Sequence, residues 1–273
     1  MKCNLLIAYP YLTPACAKLL AEIKDARIFI DSGAFTAWKA GTKIKLQEYI
    51  SFIKNLPFKP DGYFMLDEIG DPEGTKRNYK IMLDAGLNPI PIFTRGEKLS
   101  VMDEYFDTAD VVGIGGLVQT RGNKGFVKGI MNKVGSRKVH WLGFTNTSFI
   151  AHFNPYSCDS SSWASSIWYG QLSLFSDSLT EIIINKKTFM EVPSREIFDL
   201  FKLYGEDINK LRSKSEWVNS GRGKSCLERM AFKSIARRII DTERLHKTML
   251  FAAICCDGHI DSMNEAFMYW RNK

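Results

Sequence analysis

The sequence alternates between short apolar runs and longer amphipathic segments, and this alternation limits the possible folds more than any other feature. Apolar runs bounded by turn residues predict strands at 4–8, 27–31, 62–67, 89–94, 110–115, 138–143 and 155–159. Segments with helical periodicity separate them, at 13–24, 45–56, 72–86, 98–106, 121–135 and 145–153. This order indicates parallel strands joined by crossover helices.

An eighth strand is expected at 181–185, and eight such units favour a (β/α)8 barrel of the TIM type over a doubly wound sheet. From about residue 193 the pattern becomes helical, because Ser194 and Glu196 precede an apolar stripe in the manner of a capped helix start. We therefore expect a catalytic barrel over 1–192 and a basic helical extension over 193–273, packed on the barrel.

Composition is that of a soluble globular protein: 273 residues, 45% hydrophobic and 25% charged. A chain of this size can bury a large core, so disordered, collagen-like and coiled-coil classes are excluded. The six cysteines follow no disulfide framework, which favours a cytoplasmic setting. No run approaches the ~20 apolar residues of a membrane span, so no membrane partner is expected.

Positive charge is concentrated in one part of the chain. The net charge is +7, and the window 202–250 holds 12 Lys and Arg against 6 Asp and Glu. This excess predicts a polyanionic partner. The alternative is an ordinary solvated helical face. The candidate contacts to a nucleic-acid backbone are Arg222, Lys224, Lys233, Arg237 and Arg238.

Carboxylates and glycines recur where the predicted strands end. Asp31, Asp67 and Asp159 each fall at a strand end, and Gly115-Gly116 and Gly143 follow two others. Active sites of barrel enzymes are built from the carboxyl ends of the strands, so these residues are expected to converge. The alternative for each aspartate is a helix N-cap or an Asx turn.

Five short motifs occupy these strand ends in order: DSGAF (31–35), MLDE (65–68), GIGGLV (113–118), WLGF (141–144) and SCDSSSW (157–163). Together they resemble the tRNA-guanine transglycosylase superfamily, which includes relatives that insert 7-deazaguanines into DNA. The match covers about residues 27–163. It implies a (β/α)8 barrel that cleaves the N-glycosidic bond of a flipped-out nucleotide.

The resemblance also implies roles for single residues. Asp159 would be the nucleophile that bonds to the sugar, and Asp31 the acid/base. Asp67 would bind the base edge with backbone groups of two glycines, while an aromatic and an aliphatic side chain sandwich the ring. The residues implied to bind the base are Asp67, Phe35, Gly115, Gly116, Leu142 and Arg95. The arginine follows the fourth predicted strand.

Physical chemistry agrees with these roles. The reacting anomeric carbon resembles an oxocarbenium ion, which a neighbouring carboxylate stabilises and can bond. The departing base needs a proton from a second acid, whose pKa burial and neighbouring carboxylates would raise. Base flipping would give access to a carbon that is shielded in a duplex. His140 lies alone in an apolar run, where a structural role is the default.

Two departures from the family pattern narrow the expectation. Cys226, Cys255, Cys256 and His259 do not reproduce the family's zinc site, so no metal or other cofactor is expected. Thr94-Arg95-Gly96 stands where the family has a purine-reading glutamine. Without the zinc subdomain, DNA is favoured over tRNA as the partner.

Several outcomes stay open at this point. Release of the base to water would make the protein a DNA glycosylase that acts on a modified base, such as one in phage DNA. Exchange with a free 7-deazaguanine as co-substrate would make it a DNA-modifying transglycosylase. The alternatives are a tRNA enzyme that lacks zinc and an inactive barrel that binds nucleic acid. The oligomeric state stays undetermined.

Overall fold

The computed structural model describes residues 2–120, 124–186, 189, 194–220 and 222–273. These residues form a mixed α/β structure around an eight-stranded parallel sheet, with a separate two-stranded hairpin. The strands are β1 (Cys3–Ala8), β2 (Ala26–Asp31), β3 (Gly62–Tyr63), β4 (Ile92–Phe93), β5 (Val111–Ile114), β6 (Lys138–Trp141), β7 (Ser157–Ser160), β8 (Gln171–Phe175), β9 (Glu181–Asn185) and β10 (Met249–Ile254).

Helices follow most of the strands, as the alternating pattern predicts. They are α1 (Pro14–Glu22), α2 (Ala34–Lys39), α3 (Leu46–Lys54), α4 (Pro72–Asp84), α5 (Val101–Phe106), α6 (Lys124–Val134), α7 (Thr147–Phe153), α8 (Ser162–Trp168), α9 (Arg195–Leu203), α10 (Cys226–His246) and α11 (Asp257–Arg271). Within the described ranges, none of them is both long and apolar enough to cross a membrane.

Polar residues in the sequence fix where several helices begin. The side chains of Thr13, Asp71 and Ser194 accept hydrogen bonds from backbone N–H groups in the first turns of α1, α4 and α9. Ser225 and Glu228 form a reciprocal capping box at the start of α10. Each cap satisfies N–H groups that a helix leaves without partners at its first turn.

The eighth strand of the sheet comes from the end of the chain. The strand order is β3-β2-β1-β10-β7-β6-β5-β4, and β10 pairs in parallel with β1 on one side and with β7 on the other. The prediction that 181–185 supplies this strand is wrong. That segment forms a strand, but it pairs antiparallel with β8 in the separate hairpin.

The region after residue 193 is therefore not helical throughout. It contributes β10 to the middle of the sheet, between α10 and α11. The expected boundary at 192 does not separate the eight-stranded sheet from the rest of the chain. A fully apolar run such as 249–254 cannot be distinguished from a buried helical segment by periodicity alone.

The sheet curls until strands that are far apart in its order contact one another. His140 of β6 lies 4.9 Å, centroid to centroid, from the ring of Phe64, which follows β3. Phe29 of β2 stacks on Phe251 of β10 at 4.3 Å and also contacts His140. These four rings fill the inside of the curl, as side chains do inside a small barrel.

The two edge strands meet at one point. A single parallel bridge joins Phe64 to Ile90, with hydrogen bonds from Ile90 N–H to the Tyr63 carbonyl (2.7 Å) and from Met65 N–H to the Ile90 carbonyl (3.0 Å). Each other pair of neighbouring strands in the described sheet is joined by a ladder of paired residues, whereas β3 and β4 are joined only by this bridge. The architecture is a TIM-like curled sheet rather than a barrel with a ladder at every seam.

Candidate active site

Asp31 is the last residue of β2, and the turn after it is shaped by Gly33. The Gly33 N–H donates to Asp31 Oδ2 at 3.0 Å. Gly33 has φ +77°, and a Cβ there would lie 2.4 Å from Cδ of Pro10. Both the left-handed backbone and the close proline require glycine. The sequence Asp-Ser-Gly therefore fixes the position of the Asp31 carboxyl group.

Asp67 lies beside this turn. The buried Ser32 hydroxyl donates to Asp67 Oδ1 at 3.2 Å, which joins the end of β2 to the segment after β3. Burial raises the pKa of Asp67 above its ordinary value. Hydrogen bonds from its own backbone N–H and from Ser32 lower it in part, while the nearby Glu68 raises it further.

Asp159 of β7 is held by two donors on one of its oxygens. Gly143 N–H donates to Asp159 Oδ1 at 2.9 Å, and Nε2 of His140 lies 3.1 Å from the same oxygen. Nδ1 of His140 lies 2.8 Å from the Ser157 hydroxyl. Ser157, His140 and Asp159 thus form a buried chain of hydrogen bonds across β6 and β7, and each member is at most 8% exposed.

The chemistry of this chain assigns its protons. A carboxylate accepts hydrogen bonds, so the tautomer of His140 with its proton on Nε2 donates to Asp159 and leaves Nδ1 to accept from the Ser157 hydroxyl. Gly143 has φ +66°, a conformation that directs its N–H to the same carboxylate. No described side chain or N–H group donates to Oδ2 of Asp159, which leaves that oxygen available for a substrate atom.

The three carboxyl groups interact electrostatically. Burial, and after it the carboxylates of Asp67 and Asp159, raise the pKa of Asp31 from 3.8 to about 7, although hydrogen bonds from the N–H groups of Gly33 and Ser32 lower it in part. The structure therefore brings together Asp31, Asp67 and Asp159 as the sequence predicts. It also gives Asp31 the pKa of a group that exchanges protons at neutral pH.

The predicted base-binding residues after β5 and β6 lie at the same end of the sheet. Gly113 makes room for Leu142, because a Cβ at Gly113 would lie 2.9 Å from Leu142 Cδ1. The N–H of Gly115 donates to the Phe93 carbonyl at 2.9 Å, so it is already used within the sheet. Gly116 is exposed with φ +73°. Of these two glycines, only Gly116 has an N–H without a hydrogen bond to another described group.

Phe35 and Arg95 lie on the rim. Phe35 is 51% exposed, stacks on Trp38 at 5.9 Å, and has the Lys39 ammonium 4.6 Å from its ring centroid. Arg95 is exposed and lies over the Phe126 ring at 5.7 Å. An exposed aromatic pair beside cations is a surface on which bases can stack.

The predicted basic surface is only partly present. Arg222 and Lys224 are exposed, but Arg237 and Arg238 are 8% and 9% exposed and do not lie on a solvated helix face. Arg237 pairs with Asp241 at 3.2 Å and with Asp177. Lys233 is also partly buried, so these three cations do not form part of an exposed basic helix face.

Internal ion pairs explain this correction. Glu206 alone contacts Lys233 at 3.2 Å, Arg229 at 2.9 Å and Lys210 at 3.7 Å. Asp241 contacts Arg244 at 2.9 Å as well as Arg237. In the described ranges, five of the twelve Lys and Arg of 202–250 therefore pair with carboxylates of the same region, which a count of charges cannot show.

No group of three His, Cys, Asp or Glu side chains in the described ranges is arranged to hold a metal ion. Cys255 Sγ lies 3.8 Å from Nδ1 of His259, and burial lowers the pKa of that histidine. Cys226 is buried at the start of α10. No metal ligand set is assigned to these residues.

The sequence did not identify His140 as a site residue. The sequence feature that could have identified it is a histidine within a buried strand. A buried imidazole needs hydrogen-bond partners for both of its ring nitrogens, so polar groups must lie beside it. Comparison with protein-family models, curated proteins and solved structures finds no match to this chain. The functional assignment therefore depends on the geometry of the site and on the motif resemblance.

Proposed function

We propose that this protein is an enzyme that cleaves the N-glycosidic bond of a flipped-out nucleotide in DNA. The observation that carries the proposal is the group of three carboxyl side chains at the strand ends, in which Asp31 has a pKa of about 7 and Asp159 is fixed by two donors. A fixed carboxylate beside a proton-exchanging acid is the pair that this chemistry requires.

Asp159 would act as the nucleophile. Its Oδ1 is held by Gly143 and His140, so Oδ2 can bond to the anomeric carbon as the C–N bond breaks. The electron pair of that bond leaves with the base nitrogen. The product of this step is a covalent sugar–enzyme intermediate, and His140 acts only through Asp159, as a positioning residue.

Asp31 would supply the proton to the departing base. With a pKa of about 7, roughly half of these groups carry a proton at neutral pH. In the second step Asp31 accepts a proton from water or from an incoming base, which attacks the anomeric carbon and releases Asp159. Water gives an abasic site, and a 7-deazaguanine gives base exchange.

The surroundings of the carboxyl groups are consistent with a nucleobase as the leaving group. Asp67 and the exposed Gly116 offer polar groups, Leu142 offers an apolar side chain, and Phe35 offers a half-exposed aromatic ring. We further interpret the curled sheet as a (β/α)8 barrel of the resembled superfamily, in which the Phe64–Ile90 bridge holds the β3–β4 seam.

The decisive experiment measures base loss directly. The protein is incubated with bacterial DNA, phage DNA and tRNA, with and without a free 7-deazaguanine, and released bases and strands are analysed by mass spectrometry. We expect base loss or exchange in DNA, abolished in Asp159→Asn and retained in Asp107→Asn, which removes an exposed carboxylate just after α5. The proposal fails if no polymer loses or exchanges a base.

The nucleophile is tested separately. A covalent protein–DNA adduct trapped under denaturing conditions should be absent in Asp159→Ala. An adduct that persists in that variant would overturn the assignment of Asp159. Base loss from tRNA alone would assign the protein to the tRNA enzymes of the superfamily, and binding without base loss would indicate an inactive barrel.

A further inference from the structure

A cavity of about 270 Å³ lies between the β8–β9 hairpin, α10 and the start of α8. One face of the hairpin lines it, because Gln171, Ser173 and Phe175 alternate with the buried Leu172 and Leu174. Period-two alternation of this kind places the polar side chains of β8 on the cavity face. The hairpin is thus apolar towards the core, whereas its cavity face combines the polar Gln171, Ser173 and Glu181 with the apolar Phe175 and Ile183.

Arg238 of α10 lines this cavity and is only 9% exposed. Its guanidinium lies 4.6 Å from the centroid of the Phe175 ring, and its Nη2 donates to the Thr145 carbonyl. No carboxylate of the described residues lies within 4 Å of its nitrogens, whereas the adjacent Arg237 has two carboxylate partners. Arg238 is a buried cation whose charge no close anion neutralises.

Such an arrangement is costly unless an anion completes it. Burying a charge without a paired partner is among the least favourable arrangements in a protein interior. Burial lowers the pKa of Arg238, while Glu181 on the cavity wall raises it. Glu181 itself is exposed on β9. The cavity therefore offers room for an anion next to the guanidinium, with one carboxylate on the wall that would oppose it.

The cavity and the candidate active site share neighbouring segments of the chain. Thr145, which accepts from Arg238, is two residues after Gly143, whose N–H holds Asp159. Ser162, which lines the cavity, is three residues after Asp159. The segments that hold Asp159 thus lead directly to residues of the cavity.

We propose that this cavity is a phosphate-binding subsite, with Arg238 as its cation and the polar groups of Ser162, Ser173 and Gln171 as further contacts. A planar guanidinium presents paired donors that match phosphate oxygens. This inference rests on the proposed function in one respect, which is that the phosphate is one of the DNA backbone, next to the flipped-out nucleotide. The cavity itself does not depend on base cleavage.

The first arm of the test uses inorganic phosphate. Thermal unfolding of the full chain is followed as phosphate replaces chloride at constant ionic strength, because a ligand that binds the folded state raises Tm. We expect Arg238→Met to weaken phosphate binding about tenfold, since it removes a charge-assisted contact. Glu181→Gln, at an exposed position that should tolerate substitution, is expected to tighten binding about threefold by removing a repulsive charge.

The second arm uses a short single-stranded DNA oligonucleotide. The slope of log K against log salt concentration should decrease by about 0.7 in Arg238→Met, which corresponds to one lost phosphate contact on a single strand. Glu181→Gln should bind the oligonucleotide more tightly at low salt. Arg229→Met serves as a control, because Arg229 is paired with Glu206 outside the cavity.

The outcomes separate the two proposals. If both Arg238→Met and Glu181→Gln leave the phosphate response and the salt slope unchanged, the subsite proposal is wrong. A phosphate response that depends on Arg238, with an unchanged DNA slope, overturns the assignment to the DNA backbone and assigns the cavity to free phosphate. An Arg238-dependent slope in a protein that releases no base supports the subsite and rejects the proposed chemistry.

Discussion

Replacing Asp31 by asparagine should stabilise the protein, and by an amount that depends on pH. Asparagine keeps the size of the side chain and an oxygen that can accept from the Gly33 N–H. It removes the negative charge that burial and the carboxylates of Asp67 and Asp159 oppose. A residue that destabilises the fold in its charged form is expected at a functional site.

The magnitude follows from the pKa. In the folded protein the pKa of Asp31 is raised from 3.8 to about 7, so between these values the folded state holds a proton that the unfolded state has lost. The wild-type free energy of unfolding therefore falls as pH rises through this window, by about 1.4 kcal/mol per pH unit. Asp31→Asn lacks this loss and should gain about 4 kcal/mol relative to wild type by pH 8.

Urea unfolding at intervals between pH 4.5 and 8.5 measures the difference. Because both proteins share all other titrating groups, the difference isolates Asp31. The matched control is Asp107→Asn, an exposed carboxylate, which should track wild type within about 0.5 kcal/mol at every pH. Parallel curves for Asp31→Asn and wild type across this range would refute the reasoning about the buried acid.

The same titration should govern activity. If Asp31 donates the proton to the departing base, the rate of base release falls as pH rises above about 7, where the group loses that proton. The free energy of unfolding of the wild type should stop falling above the same pH. A rate that increases steadily between pH 7 and 9 would contradict the assignment of Asp31 as the acid, although the stability result would stand.

Three further substitutions test the supporting residues. His140→Phe keeps a ring in the core but removes the hydrogen-bond partner of Asp159. We expect the free energy of unfolding to fall by about 1–3 kcal/mol. We also expect kcat to fall while KM is unchanged. Gly143→Ala and Gly86→Ala both place a side chain at positive φ and should each cost about 1–2 kcal/mol, but only the first should slow base release. Phe35→Ala should weaken DNA binding at nearly unchanged Tm, whereas Phe198→Ala, with a similar exposure of 48%, should leave DNA binding unchanged.

The sequence predicts most strand ends to within two residues because they combine two independent signals. An apolar run followed at once by a carboxylate or a glycine locates both the strand and its carboxyl end. Asp31 ends β2 as expected and Asp159 lies in β7, one residue before its end, but β3 ends at Tyr63, four residues before Asp67. Since all parallel strands of one sheet point the same way, strand ends place these residues at one edge of the sheet, and the curl of the sheet brings them together.

Strand order is what the sequence does not contain. β10 lies between β1 and β7, next to two strands that are about 245 and 90 residues away along the chain. Local periodicity carries no information about pairing over such separations. The hairpin strand β9 has the more typical strand sequence, with three successive isoleucines, yet it pairs only with β8.

The charges of α10 are a second feature that the sequence predicts poorly when only their number is counted. Arg237 and Asp241 are four residues apart, a spacing that indicates an ion pair on one helix face. Here this local signal describes Arg237 better than the count of positive charges does, because burial of α10 leaves Arg237 and Arg238 little access to solvent. Local pairing of opposite charges is therefore better evidence of a residue's surroundings than the net charge of its region.

The position of β10 also changes what the C-terminal region does. β10 is hydrogen-bonded along β7, with Phe251 in register with Asp159, and Phe251 packs on the ring of His140. The region after 193 thus supports the candidate nucleophile directly. Under the proposed function, substrate holding and bond cleavage would therefore not be divided between a barrel and an appended domain, because both would depend on one sheet that includes β10.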